Sequence, residues 1–384
     1  MIPYGRQDIT QDDIDAVIAA LRSDFLTQGP AVPAFEQAVA QRVHAGHAFA
    51  VNSATSALHI ACLALGLGKG DTLWTVPNTF VASANCARYC GAEVDFVDID
   101  PGTWNLSVPA LEEKLRAAKQ QNRLPKIVVP VHYAGQPTDQ QAIWQLAREY
   151  GFRVIEDASH AIGASAHGEP VGSCRWSDIT VFSFHPVKII TSGEGGMALT
   201  NDAALADRLA LFRSHGITRD PARLDFPEAG PWHYEQHELG FNYRMTDIQA
   251  ALGVSQLQRL EAYVQKRNQL ARRYDEQLAG LPIQLPAVKT GNLSAFHLYT
   301  IRIPEQARPR THRQVFDALR AGGVNANLHY IPVHLQPYYR KLGFGPGQHP
   351  EAEAHGREAI TLPLYPTLPE ADQDTVIRLL RGLW

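Results

Sequence analysis

The fold is indicated most directly by residues 127–160, which read IVVPVHYAGQPTDQQAIWQLAREYGFRVIEDASH. An apolar run at 127–131 is followed by a helical pattern from Gln140 to Tyr150 and by a second apolar run at 153–155. A strand, a helix and a further strand in succession are typical of the crossover units that build parallel sheets. This stretch therefore predicts two strands of an α/β sheet.

The same alternation continues in both directions from this unit. A helix is predicted from Asp12 to Leu21, with Thr10 as its cap. Short strand patterns occur at 49–51, 73–76, 94–97 and 179–184, and helical stretches lie between them at 57–64, 81–90 and 108–117. Together they predict one mostly parallel sheet of roughly six or seven strands, flanked by helices.

After Asp247 the pattern changes. A long helical stretch from Ile248 to Leu278 is ended by Gly280, Pro282 and Pro286. A strand, a helix, a second strand and a closing helix are expected after it, at 298–303, 312–321, 324–329 and from 370 onward. We therefore expect a large domain over residues 1–250, and a linking helix with a smaller α+β domain over residues 251–384.

Composition narrows the class of protein. The 384 residues carry 35 Lys+Arg against 39 Asp+Glu, a formal charge of −4, with 19% charged and 45% hydrophobic residues. This balance is that of an ordinary soluble globular protein and argues against nucleic acid or a membrane as partner. No apolar run approaches the roughly 18 residues that span a bilayer, and the N-terminus lacks a signal-peptide pattern. The four cysteines form no CxxC pair, so we expect a reducing, cytoplasmic location.

Sixteen histidines raise the question of a metal site. His233 and His237 lie four residues apart in HYEQH. This segment lacks the HExxH order, follows Gly230 and Pro231, and offers no evident third ligand. No metal is expected.

The residues after each strand are the first candidates for a site, because ligands bind beyond the carboxyl ends of parallel strands. Asp157 follows one such strand, and it could cap the next helix or serve a ligand. Lys188 follows another, between Val187 and Ile189, and it could lie at the surface or be a buried Schiff-base lysine. A free lysine is only about one part in a thousand unprotonated at neutral pH, a handicap that burial or imine formation removes.

Two further features have both an ordinary and a functional interpretation. The run NSATSA at 52–57 opens a helix with small hydroxyl residues, which either cap that helix or bind a phosphate at its N-terminus. Phe80 could pack in the core or stack on a flat cofactor. A phosphate site, a strand-end aspartate and a lysine in this order are typical of pyridoxal 5′-phosphate (PLP) enzymes of the aminotransferase fold, in which the aspartate pairs with the pyridinium nitrogen. Opposite unit charges 4 Å apart attract by about 4 kcal/mol at an intermediate dielectric constant.

Seven motifs extend this resemblance over nearly the whole chain: NSATSALH, PNTFVASAN, VDFVDIDP, EDASHAIG, FSFHPVK with GEGG, RSHGI and GFNYRMTDIQAALG. The sequence resembles the DegT/DnrJ/EryC1/StrS family of PLP-dependent sugar-nucleotide aminotransferases. The resemblance implies PLP fold type I, PLP as cofactor, and a homodimer with shared active sites.

The resemblance also assigns roles to individual residues. Lys188 matches the lysine that forms the imine and moves the proton, and Asp157 matches the pyridinium partner. Asn242 matches a residue that reaches the neighbouring subunit's PLP phosphate. The other cofactor-binding positions implied are Ala54, Thr55, Ser56, Phe80, His160 and Ser183, where Phe80 stacks on the ring and His160 lies beside the phenolic oxygen.

The substrates are implied in the same way. The segment SDFLTQGP, His160 and the segments at 216–220 and 231–245 are most similar to family members that aminate UDP-linked 4-keto-6-deoxy sugars, with L-glutamate converted to 2-oxoglutarate. Asp24 places a negative charge beside the expected diphosphate. Sugar-nucleotide contacts are expected from Tyr4, Phe25, Leu26, Thr27, Asn327, Leu328, His329 and Tyr330.

Three alternatives to this function are considered. A sugar dehydratase of the same family carries histidine in place of the lysine, whereas Lys188 is present here. A regulatory protein would need a DNA-binding element or a basic stripe, and neither is visible in the sequence. A transaminase that makes another 4-amino or a 3-amino sugar stays open, because such pockets differ by a few side chains.

Overall fold

The computed structural model describes residues 1–227, 230–305, 307 and 309–384. Sixteen strands are found within these ranges: β1 Ile2–Pro3, β2 His47–Val51, β3 Thr72–Thr75, β4 Glu93–Phe96, β5 Ile127–Val129, β6 Arg153–Asp157, β7 Ser165–Ala166, β8 Glu169–Pro170, β9 Ile179–Ser183, β10 Gly196–Thr200, β11 Ile217–Thr218, β12 Glu235–Gln236, β13 Asn292–Leu293, β14 Tyr299–Arg302, β15 Val324–Asn325 and β16 Ala359–Leu362.

Thirteen α-helices are found within the same ranges: α1 Gln11–Arg22, α2 Ala31–Val43, α3 Ala54–Ala64, α4 Ala82–Tyr89, α5 Val108–Gln120, α6 Gln140–Tyr150, α7 Ala203–Arg213, α8 Asp247–Leu257, α9 Leu260–Leu278, α10 His312–Ala321, α11 Pro337–Arg340, α12 Pro350–Glu358 and α13 Glu370–Arg381.

Seven strands form the central sheet, in the order β2-β10-β9-β6-β5-β3-β4. The five strands β9, β6, β5, β3 and β4 are parallel to one another, whereas β10 runs antiparallel to both β2 and β9. The prediction of a mostly parallel sheet is confirmed. Its strands β6 and β9 end at Asp157 and Ser183, so the segments that follow both strands emerge at one edge of the sheet.

Apolar side chains cover both faces of this sheet. Leu58, Ile60 and Ile179 belong to one buried cluster, and Phe35, Phe182 and Phe184 belong to another. Successive residues of β9 alternate between these clusters, as the two-residue period of a strand requires. The sheet is therefore buried on both sides, which is typical of parallel sheets and holds the strand ends rigidly.

A separate apolar cluster lies in the C-terminal part. It joins α9, β14, α10, β16 and α13 through side chains such as Tyr274, Tyr299 and Leu380. The first strand, β1, pairs in parallel with β15, so the N-terminal residues lie beside the C-terminal part of the chain. The division at residue 250 stays a prediction.

The long helix predicted at 248–278 is two helices, α8 and α9, separated at Gln258 and Arg259. The Arg259 guanidinium bonds the Asp13 carboxylate at 2.5 Å, and Gln256 Nε2 donates to the same carboxylate at 2.8 Å. These contacts hold the junction against the first turn of α1. Likewise the strand predicted at 324–329 is shorter in the structure: β15 ends at Asn325, and Asn327 forms an isolated bridge with Thr361.

Candidate active site

The carboxyl edge of the sheet opens into a cavity of about 920 Å³. It is bounded by the residues after β6 and β9, by the N-terminal turns of α3 and α4, and by the segment that follows β15. Of the predicted site residues, the cavity is lined by Tyr4, Ala54, Thr55, Ser56, Phe80, Asp157, His160, Ser183, Lys188, Asn327, Leu328, His329 and Tyr330.

Asp157 ends β6 with its carboxylate buried. Ser83 Oγ donates to Asp157 Oδ2 at 2.6 Å, and the Ser159 N–H donates to Oδ1 at 3.2 Å. Thr79 Oγ1 lies 2.7 Å from Ser83 Oγ and extends the chain of hydroxyls. The structure favours the ligand interpretation of Asp157 over the helix-cap interpretation, because these groups hold the carboxylate at the wall of the cavity. A buried carboxylate that is held by hydroxyl and amide donors favours a cationic ligand.

Lys188 lies in the segment after β9, and its backbone N–H donates to the His185 carbonyl at 2.9 Å. Burial lowers the pKa of its amine to about 8, while the charge of Asp157 acts in the opposite direction. A lysine with this pKa is about one tenth neutral at pH 7. The side chain is therefore far more nucleophilic than a surface lysine.

The N-terminus of α3 is shaped to hold an anion. Ser53 caps the helix by accepting from the Ser56 N–H at 3.2 Å, and Ser56 Oγ donates to Asn52 Oδ1 at 2.7 Å. The cap leaves the Ala54 and Thr55 N–H groups without an acceptor inside the helix. Gly196 keeps the neighbouring strand close, because a Cβ there would lie 2.5 Å from Ala54 N. Such a turn binds phosphate oxygens.

Phe80 is 60% exposed and lines the cavity. Its ring centroid lies 6.4 Å from that of Tyr330 across the opening. The core-packing interpretation of Phe80 is wrong for this structure, because an exposed ring at the rim of a pocket buries little apolar surface in the core. It is placed to cover one face of a flat ligand.

His160 also lines the cavity, where burial and the charge of Lys188 hold the pKa of its imidazole well below the usual value. The His297 ring lies against it at a tilt of 48° with ring centroids 4.4 Å apart, and burial and the neighbouring charges of His160 and Lys188 lower the pKa of His297 as well. Burial also lowers the pKa of His329 to about 4. All three imidazoles are therefore neutral near pH 7 and can serve as uncharged hydrogen-bonding groups.

The structure does not bring every predicted residue to this cavity. Phe25 and Leu26 are about half exposed, and the Leu26 carbonyl accepts from the Asp247 N–H at 2.9 Å at the start of α8. Thr27 pairs with Thr246, and Asn242 lies exposed on the strand-like segment beside Ser214. Within one chain, these four residues are separate from the cavity.

The sequence interpretation missed several lining residues. Ser83 and His297 were not singled out, because only tertiary contacts place them beside Asp157 and His160. Other lining residues to which it gave no role are Thr79, His185, Glu194 and Gln249. Ser83 could have been suspected from its place in the helix-opening segment TFVASAN, whereas His297 carries no such local signal.

Among the described residues, no group of three or more His, Cys, Asp or Glu side chains is placed to hold a metal ion. In the same part of the chain, no helix is long and apolar enough to cross a bilayer.

Comparison with known proteins agrees with this geometry. The model of the DegT/DnrJ/EryC1/StrS aminotransferase family matches residues 7–381. The chain belongs to this family. The spore coat polysaccharide biosynthesis protein SpsC of Bacillus subtilis is 36% identical to it, over 100% of this chain and 97% of SpsC.

Solved structures of the family share the fold. The Helicobacter pylori PseC structure, an aminotransferase involved in the biosynthesis of pseudoaminic acid, has a TM-score of 0.88 at 30% identity and covers 99% of this chain and 98% of its own. The PLP-form of Spr1654 from Streptococcus pneumoniae has a TM-score of 0.88 at 28% identity, over 100% and 98% of the two chains. The protein is thus a PLP-dependent sugar aminotransferase with the aminotransferase fold.

The residues present fit PLP. The buried Asp157 carboxylate offers a counter-charge for a protonated ring nitrogen, and the exposed Phe80 ring offers a stacking surface. The α3 N-terminus, kept open by Gly196, suits the phosphate, and Lys188 supplies a nucleophilic amine.

Proposed function

We propose that this aminotransferase transfers the amino group of L-glutamate to C4 of a UDP-linked 4-keto-6-deoxy-N-acetyl hexose. The products are 2-oxoglutarate and UDP-4-amino-4,6-dideoxy-N-acetyl-β-L-altrosamine, an intermediate of pseudaminic acid biosynthesis. The observation that carries the proposal is one continuous cavity in which Lys188 and Asp157 face Tyr4 and the segment 327–330. Likeness to PseC over the whole chain supports the choice of sugar.

Each group of this cavity has a defined task. The chemistry that PLP would supply when bound is an electron sink for the pair released as the Cα–H bond of the amino donor breaks. Asp157 would keep the ring nitrogen protonated, and Phe80 and the α3 N-terminus would hold the ring and the phosphate. Lys188 is the base that removes the proton from the amino acid and the acid that returns a proton at C4 of the sugar. Glutamate loses its amino group and Cα hydrogen and gains the oxygen of one water to become 2-oxoglutarate. The sugar gains the amino group and a hydrogen at C4 while its carbonyl oxygen leaves as water, so the two half-reactions balance.

The direct test is the absorbance of the purified protein with PLP, L-glutamate and a panel of UDP- and dTDP-linked 4-keto sugars. We expect a visible band that L-glutamate removes and the 4-keto-6-deoxy sugar restores, with the amino sugar identified by NMR. A band that does not respond to L-glutamate would rule out this donor. Lys188→Ala should fold and lose turnover, and full activity in that variant would remove Lys188 from its role.

A different amino sugar is the second candidate. It is favoured by the 36% identity to SpsC, whose name refers to a spore coat polysaccharide. The same panel separates the two, because the configuration at C4 and the position of the new amine are read directly from the product. If the product is an amino sugar other than the altrosamine derivative, the proposed substrate is wrong, but the assignment as a sugar aminotransferase still holds.

We further propose a cytoplasmic homodimer in which Asn242 completes the partner's phosphate site. Its support is the position of Asn242, exposed and outside the cavity of its own chain. Mixing inactive Lys188→Ala dimers with Asn242→Ala dimers should restore about a quarter of wild-type activity after subunit exchange, because half of the dimers then hold one intact site. No recovery on mixing, with exchange shown by mass spectrometry, would contradict shared sites.

A further inference from the structure

The tautomer of His160 is fixed by one backbone contact. The Ala134 N–H lies 3.3 Å from His160 Nδ1, and an N–H can only donate. Nδ1 is therefore the acceptor, and the single proton of the neutral ring lies on Nε2. Nε2 faces the Tyr330 hydroxyl oxygen at 3.2 Å. The imidazole thus donates to Tyr330.

A phenol that accepts from His160 must direct its own proton elsewhere. Tyr330 lines the cavity that holds Asp157 and Lys188, so its hydroxyl proton is available to a ligand there. Burial and the charge of Asp157 raise the pKa of Tyr330 well above its usual value. The phenol accordingly stays protonated and acts as a hydrogen-bond donor.

The contacts from the Ala134 N–H to His160 and from His160 to Tyr330, together called the relay here, are surrounded by closely packed groups. Gly135 follows Ala134, and a Cβ there would lie 2.8 Å from Phe296 N and 2.9 Å from the His160 carbonyl. On the other side, Tyr133 Oη donates to the His329 carbonyl at 2.6 Å, which fixes the backbone just before Tyr330. The Tyr330 ring is further held between the rings of Phe80 and Tyr133, at 6.4 and 6.5 Å.

We propose that Tyr330 is a catalytic residue that donates a hydrogen bond to the C4 oxygen of the sugar, and that His160 is the positioning residue that orients it. This assignment rests on the proposed function. As the amine nitrogen bonds to C4, the π electron pair of the carbonyl moves onto its oxygen. A fixed donor aimed at that oxygen stabilises the charge that develops there, and the oxygen then leaves as water.

Binding of two unreactive ligands to the holoenzyme tests this assignment without turnover. One is a UDP-6-deoxy sugar with a hydroxyl at C4, and the other is the same compound with hydrogen at C4. By calorimetry, we expect Tyr330→Phe to weaken the first about threefold to tenfold, which is the effect of one lost hydrogen bond, and to leave the second within about twofold. Equal effects on both ligands, or none, would overturn the role of Tyr330.

Variants of His160 test the positioning role. The amide of His160→Gln can accept from the Ala134 N–H and donate to Tyr330, so we expect it to retain the preference for the C4 hydroxyl. His160→Leu can do neither and should lose that preference as Tyr330→Phe does. Tyr4→Phe removes another hydroxyl from the same cavity and should affect both ligands alike. Full preference in a folded His160→Leu would contradict the relay.

The two half-reactions, followed separately by stopped flow, locate the acceptor. If it is the sugar oxygen, Tyr330→Phe should slow the sugar half-reaction by about 100-fold or more and leave the glutamate half-reaction and the visible band unchanged. If it is instead the phenolic oxygen of PLP, both half-reactions and the band should change, which overturns the assignment. Failure of wild-type protein to bind either UDP-sugar would overturn the proposed substrate and this assignment with it. If wild-type protein binds the C4-hydroxyl ligand more tightly than the C4-hydrogen ligand and Tyr330→Phe does not, the result supports both the proposed substrate and the role of Tyr330.

Discussion

Ser83 Oγ donates to Asp157 Oδ2 at 2.6 Å, and this bond joins the first turn of α4 to the end of β6. Both side chains are buried and both line the cavity. The hydroxyl of Thr79, in turn, lies 2.7 Å from Ser83. The carboxylate that we propose as the partner of the cofactor is therefore oriented by a helix that begins beside Phe80, the proposed stacking residue.

Ser83→Ala should weaken PLP binding by about tenfold to a hundredfold, because a hydrogen bond to a charged group is worth about 1.5 to 3 kcal/mol and its loss lets the carboxylate rotate away from the ring nitrogen. Equilibrium titration of the apoenzyme with PLP measures this. Ser107→Ala is the matched control, since Ser107 caps α5 by accepting from the Ala110 N–H at 3.3 Å. The control should lower the free energy of unfolding by about 1 kcal/mol with unchanged PLP affinity. Equal affinities in both variants would contradict the orienting role.

The lowered pKa of Lys188 predicts how the rate of PLP capture depends on pH. Its amine has a pKa of about 8 and reacts only when neutral. The rate should therefore rise about tenfold from pH 7 to a plateau above pH 8. Stopped-flow mixing of apoenzyme with PLP across this range measures the midpoint. A midpoint near pH 10 would show that burial does not act on this amine.

Asp157→Asn should move that midpoint to lower pH. The carboxylate of Asp157 raises the pKa of Lys188, in opposition to burial. Its removal leaves burial unopposed, so the neutral amine predominates at a lower pH. The same stopped-flow measurement checks the direction of the shift. Turnover should fall by about 100-fold or more, because the ring nitrogen loses its counter-charge.

Local sequence was sufficient for the central elements of the site. Asp157 and Lys188 each follow an apolar strand, so their place at the carboxyl edge follows from the order of the strands along the chain. Thr55 and Ser56 open a helix directly after β2, which predicts a phosphate site from two neighbouring elements. These functional residues can be recognised from the local sequence, and the parallel sheet brings them together at one edge.

Other features depend on contacts that are distant in sequence. Ser83 meets Asp157 across 74 positions, and Tyr330 meets His160 across 170. The break between α8 and α9 is held by Asp13, 246 positions before Arg259. The hydrophobic periodicity of a single segment does not predict contacts between residues so far apart in sequence. Strand β10 was also missed, because its short apolar pattern at 196–200 directly follows a glycine-rich turn. That pattern also does not indicate whether the strand runs parallel or antiparallel to its neighbours.

Phe80→Leu should weaken PLP binding and leave the apoenzyme as stable as wild type. The ring is 60% exposed, so its loss removes little buried surface from the folded chain. Stacking on the cofactor is worth about 0.5 to 1.5 kcal/mol beyond area, which corresponds to about a twofold to tenfold change in affinity. Phe35→Leu is the contrasting control, since Phe35 is fully buried and should lower the melting temperature alone. A lower melting temperature for apo Phe80→Leu would instead indicate a packing role.

Gly196→Ala should weaken the binding of phosphate and should have a smaller effect on the stability of the fold. The new Cβ would lie 2.5 Å from Ala54 N and from the Ser53 carbonyl carbon, so the first turn of α3 must shift away from β10. That shift misaligns the Ala54 and Thr55 N–H groups that the phosphate uses, because hydrogen bonds weaken steeply when bent. Competition between PLP and inorganic phosphate, measured by the visible band, reports the loss. Gly68→Ala is the matched control, since no atom lies within 4 Å of its new Cβ and its affinity for phosphate should not change. Wild-type phosphate affinity in a folded Gly196→Ala variant would show that the cradle tolerates the shift and that the phosphate is held elsewhere.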